Sequence, residues 1–150
     1  MTDRAKTPWH LWVIGLVSLL WHAGGAYDYT MTQTRNEAYL RTAAENAGVS
    51  YEAMIGYYTT FPAWADALWA FGVWGAAAGS ILLLLRSKFA FYAFVLSLIG
   101  LAGTTVYTFS SDIPAELNSS FTWIFTAVIW IVTLLLALYA KRMTAAGVLR

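Results

Sequence analysis

His22 and Asp66 are the two residues of this sequence best suited to exchange a proton inside an apolar helix. An imidazole titrates near neutral pH, and a carboxylate within hydrogen-bond reach tunes it. Asp66 follows Pro62 by four residues, about 6 Å along a helix, which places it near the outer end of an apolar stretch. There a carboxylate either gains from the uncovered N–H groups of the first turn or serves as an intramembrane acid. His22 stands four or five residues from the same end of the preceding stretch, and antiparallel helices would hold the two at equal depth. We therefore single out His22 and Asp66 as a candidate polar pair. His10, the other histidine, is 12 residues from His22, about 18 Å and 120° away on one helix, so one haem cannot be held between them. A single haem ligand per chain, completed by another copy or subunit, stays open. Flanked by Trp9 and Trp12, His10 fits an interfacial position.

The second group with a physical role is small rather than reactive. Gly75 and Gly79 form a GxxxG, Gly72 and Ala76 extend the ridge, and Ser97, Gly100 and Gly103 offer matching positions further on. Between apolar helices in lipid, close backbone approach through small residues is a main source of association. We expect a packing groove within the chain. No phosphate-cradling glycine loop, nucleophile elbow, His-x-x-x-His pair or pair of carboxylates in one apolar stretch occurs, so neither a catalytic nor a metal site is expected. With no cysteine, thiolate and cysteine-based metal chemistry is excluded, and a net charge of +1 offers no basic surface for nucleic acid.

The elements that must position these residues are apolar helices. Hydrophobic residues make up 59% of the 150 and charged ones 11%, with a mean hydropathy of +0.58 and eight tryptophans, which marks an integral membrane protein. Four stretches, approximately 8–27, 62–85, 89–109 and 120–140, reach the roughly 20 residues that a span needs. The expected fold is an all-α membrane four-helix bundle in one domain, 1–150. Proline begins the first two stretches, and the turn Arg86-Ser87-Lys88 makes the second and third antiparallel neighbours. Arg4, Lys6, Arg86, Lys88, Lys141, Arg142 and Arg150 fall on one side, whereas the connections holding Asp28 to Glu52 and Asp112 with Glu116 are acidic. The positive-inside rule then sets both termini in the cytoplasm. The beginning of the chain, with Leu11–Leu20 before Gly24-Gly25-Ala26, also resembles a cleavable signal; we read it as a retained helix.

Residues 28–60 predict an outer amphipathic helical hairpin. Thr34-Arg35-Asn36-Glu37 fits a capping box, and Leu40, Ala43, Ala44 and Ala47 then share a face. Glu37, Arg41 and Glu45 alternate in sign at i, i+4, Gly48 stops the helix, and Ser50 starts another with Tyr51, Met54, Ile55 and Tyr58 on one side. Thr104, Thr105, Thr108, Thr122, Thr126 and Thr133 can bond their own helix backbone, so they need not mark a polar pore.

The stretches DYTMTQTRNEAYL (Asp28–Leu40), FPAWADALWAFGVWG (Phe61–Gly75) and GSILLLLRSKFA (Gly79–Ala90) resemble a group of small bacterial inner-membrane proteins labelled hypothetical protein or sugar transporter. The resemblance runs from about Trp21 to Tyr107 and implies a bacterial inner membrane, with no residue role attached. Three functions fit the sequence. The first is a non-catalytic accessory or scaffold subunit, packed against a larger energy-transducing complex or a second copy. The second is a small oligomeric transporter or channel, and the third a binder of an apolar cofactor such as haem, pigment or quinone. Recognised sugar carriers use more spans or visible repeats than this chain has.

Overall fold

The computed structural model describes residues 6–150; Arg4, part of the amino-terminal charge signal, lies outside the described residues. Those residues form six helices and no strand: α1 Trp9–Gln33, α2 Glu37–Ala47, α3 Tyr51–Thr59, α4 Ala63–Leu84, α5 Phe89–Ser110 and α6 Ser120–Ala145. Pro8 and Pro62 sit just ahead of α1 and α4, where a missing N–H costs no helical bond. The Ser119 side chain accepts the Thr122 N–H to start α6. Helices α4, α5 and α6 are long and apolar enough to cross a membrane. Helix α1 is also long, at 25 residues, but stands outside that set. Its three tryptophans, two histidines and Asp28 make it less apolar.

Helix α1 runs six residues beyond the expected end at 27, to Gln33. The Thr30 and Thr34 hydroxyls donate to the carbonyls of Ala26 and Thr30, so both side chains are satisfied by their own helix. The Thr34–Glu37 capping box is therefore not made. Thr34 completes α1, Arg35 turns the chain at φ 52°, and the Asn36 side chain accepts the Tyr39 N–H to cap α2 instead. Gly48, at φ 70°, ends α2 and Ser50 caps α3. These two helices pack through Leu40, Ala44 and Met54, while Ala47 is exposed. Arg41 pairs with Glu37 at 2.8 Å rather than with Glu45, and its guanidinium lies over the Tyr51 ring.

The four long helices run antiparallel to their neighbours. Gln33 meets Asp66 and His22 meets Ser80 between α1 and α4. Trp130 donates to Thr105 between α6 and α5, and His10 meets Tyr139 between α1 and α6. The tightest seam is α4 against α5. A Cβ on Gly75 would lie 2.9 Å from the Ser97 nitrogen and 3.0 Å from the Ala93 carbonyl oxygen, and one on Gly79 would lie 2.7 Å from the Phe94 ring. Gly100 faces the backbone of Leu68 and Gly72 more closely still, and the Leu68 side chain fills the space beside Gly103. The Ser97 hydroxyl donates to the Gly72 carbonyl oxygen at 2.5 Å across this seam.

The two ends of the molecule differ. At the end where α4 turns into α5, Leu11, Leu83, Phe94, Leu136 and Ala140 form a closed core joined by Val148 and Leu149. The last residue is strapped to the α4–α5 turn: Lys88 N–H donates to the Arg150 carbonyl oxygen and Arg150 N–H to that of Arg86, both at 2.9 Å. We call this the tail end. The opposite, capped end carries α2 and α3.

Candidate functional site

In the half toward the capped end, the four long helices leave a cavity of about 580 Å³. It opens at the surface along α1, where the exposed Gly24 and Gly25 carry no side chains. Nothing lies within 4 Å of a Cβ built on Gly24 or Gly25, and both line the cavity. The close approaches are α1 to α4, α4 to α5 and α5 to α6. The α1–α6 seam is bridged by aromatic side chains instead, Trp21 on Phe125 with centroids 5.9 Å apart and, at the tail end, His10 on Tyr139. The walls are mainly apolar and include Trp21, Trp69, Phe125 and Ile129.

Helices α2 and α3 close the end of the bundle above this space. The Tyr39 hydroxyl donates to Asp28 Oδ1 at 2.7 Å, Tyr58 stacks on Trp69, Tyr57 reaches Thr108, and the Ser50 N–H donates to Glu116. Burial pushes the Tyr39 phenol above its ordinary range, and its bond to Asp28 pushes it further. Burial, with smaller contributions from Asp28 and the neighbouring tyrosines, does the same to Tyr58. Both phenols therefore stay neutral, and that of Tyr39 donates in the cap.

His22 lines the cavity and is 7% exposed. Its Nδ1 lies 2.8 Å from the Ser80 hydroxyl, which also reaches the Ala76 carbonyl oxygen at 3.2 Å. The Nε2 atom is buried with no hydrogen-bond partner among the described residues. In either tautomer that nitrogen has unused bonding capacity, and a buried polar atom without a partner carries a desolvation cost that a bound ligand can relieve. Ser97, Thr104 and Thr133 add hydroxyls to the lining, but each is already engaged with a backbone carbonyl.

The structure does not bring His22 and Asp66 together. Asp66 accepts from Gln33 Nε2 at 3.2 Å and borders a separate polar crevice of about 210 Å³ with Arg35 and Thr59. The cause is the length of α1. With its end at Gln33, His22 lies 11 residues inside the helix, about 16 Å from the end, whereas Asp66 is in the first turn of α4. His10 is committed elsewhere, with Nδ1 2.7 Å from the Tyr139 hydroxyl. Gly72, Gly75, Gly79, Gly100 and Gly103 lie in the α4–α5 seam, with Gly72 also on the cavity wall beside the buried Ala76. No group of three or more metal-ligating side chains occurs among the described residues.

Sequence reasoning missed Ser80, Asp28 and the paired glycines as parts of one site. The Gly24-Gly25 pair was the available signal, since three residues separate Gly25 from both His22 and Asp28 and so set all three on one face. No protein-family model, curated protein or solved structure matches this chain.

Proposed function

We propose that this chain is a non-catalytic bacterial inner-membrane protein of four spans, α1, α4, α5 and α6, with both termini cytoplasmic. It binds a small, largely apolar molecule in the cavity beneath the α2–α3 cap. The observation that carries this is an apolar cavity of about 580 Å³ between all four long helices, with the buried His22 Nε2, partnerless among the described residues, in its lining group. Pockets of this size and apolar character, with a few polar groups, suit a small ligand. The wide exposure of large apolar side chains such as Val106, Phe109, Ile131 and Leu138 suits lipid contact.

The glycine ridge favours ligand binding over the scaffold role. Its small positions are used within the chain, α4 on α5, which leaves that ridge unavailable to another subunit. Occupancy from the bilayer is favoured by the α1–α6 seam, where Gly24 and Gly25 leave the α1 wall bare. The test is mass spectrometry of small molecules extracted from the protein purified in mild detergent. We expect one species in near-stoichiometric amount in the wild type and its loss in Gly25→Phe, which fills the cavity. Equal content in the two proteins, or no bound species in either, contradicts the proposal.

A further inference from the structure

We infer that the occupant is an amphipathic cation, its charged group held at Asp28 and its apolar body lodged between Trp21, Trp69 and Phe125. This rests on the cavity being a ligand site and adds the chemistry of the ligand. Asp28 is the one charged side chain among the described residues lining the cavity. No cationic side chain among the described residues pairs with it; the ion pair formed there is Arg41 with Glu37. Oδ1 accepts the Tyr39 hydroxyl, and Oδ2 makes no hydrogen bond among the described residues.

Position supports the same assignment. Asp28 lies five residues before the end of α1, about 7.5 Å along the axis, and His22 lies six residues deeper, about 9 Å further. A ligand reaching from one to the other has its charge near the capped, polar end and its body among aromatic walls. The Tyr39 hydroxyl holds the exposed carboxylate at the rim of the cavity. Aromatic faces attract a cation. An anion would meet the Asp28 carboxylate with no lysine or arginine among the lining residues to offset it. A neutral ligand would use the apolar walls and gain nothing from the acid.

The experiment compares two probes of similar shape, tetraphenylphosphonium and neutral triphenylphosphine oxide, by calorimetric titration of the full chain in nanodiscs. Gly25→Phe defines binding outside the cavity. We expect the cation to bind the wild type at least tenfold more tightly than the oxide. Asp28→Asn should weaken the cation at least tenfold and leave the oxide unchanged, and Asp28→Glu should retain the preference. Equal affinity for the two probes in the wild type, a comparison that needs no variant at Asp28, overturns the cation assignment and leaves the cavity site standing. So does a preference that survives in Asp28→Asn. If neither probe binds the wild type more tightly than Gly25→Phe, both the cation assignment and the cavity site fall.

Discussion

Glycines do opposite work in two regions of this molecule. In α4 and α5, Gly75, Gly79 and Gly100 are places where a neighbouring helix fills the space that a side chain would take. In α1, Gly24 and Gly25 are places where nothing fills it. The first set joins two helices at backbone distance, and the second leaves a hollow. The comparison teaches that a row of small residues has no meaning until the facing helix is known. Here α5 closes on α4, whereas α6 meets α1 through the rings of Trp21 and Phe125. One half of the bundle is consequently a packed core, and the other half holds a cavity.

The packed side is the easier to break. Gly100→Val drives side-chain carbons into the backbone of Leu68 and Gly72, which cannot move aside as a flexible side chain would. In denaturant unfolding in mixed micelles, failure to reach the folded state is expected, a cost beyond the roughly 3 kcal/mol of ordinary overpacking. A smaller contrast sharpens the comparison by truncation. Phe94 is fully buried at the tail end, so Phe94→Ala should cost about 3–5 kcal/mol. Ile129 borders the cavity and already lacks neighbours on that side, so Ile129→Ala should cost well under half as much in the same assay.

The smallest expected effect concerns the cap. Burial and the Asp28 bond raise the Tyr39 phenol above its usual range. Between the free-phenol value of about 10 and the raised folded value, the folded state holds the extra proton, so stability falls as pH rises through that window and is flat below it. Amide hydrogen exchange over residues 37–59 should accelerate above about pH 10 beyond the intrinsic base-catalysed rate. In Tyr39→Phe the excess should shrink. An unchanged excess would mean that the Tyr39–Asp28 bond does not hold the cap.

The long helices were legible because hydropathy and turn residues report directly on local structure. Pro8 and Pro62 mark starts, Gly48 and Ser50 mark a stop and a start, and the boundaries of α4 and α5 lie within a residue or so of those expected. The last turns of α1 were not legible. Asp28, Thr30, Thr32 and Gln33 make residues 28–33 too polar to extend the apolar stretch, yet the helix continues through them to the sharp turn at Arg35. That error in length moved His22 to the wrong depth and suggested Asp66 as its partner in place of Ser80. The cavity was less legible still. An empty space is a property of how far apart α1 and α6 stand, and periodicity along one helix carries no information about that distance.

The most direct test puts the same side chain into the two kinds of glycine site. Gly25→Leu and Gly75→Leu, unfolded under identical conditions in detergent, should behave in opposite ways. The first should fold with wild-type stability or slightly above it, since leucine favours the helix and has room to enter. The second should lose several kcal/mol or fail to fold, because the Ser97 and Ala93 backbone occupies its place. Equal destabilisation of the two variants would show that no hollow exists beside α1, and the ligand site would go with it.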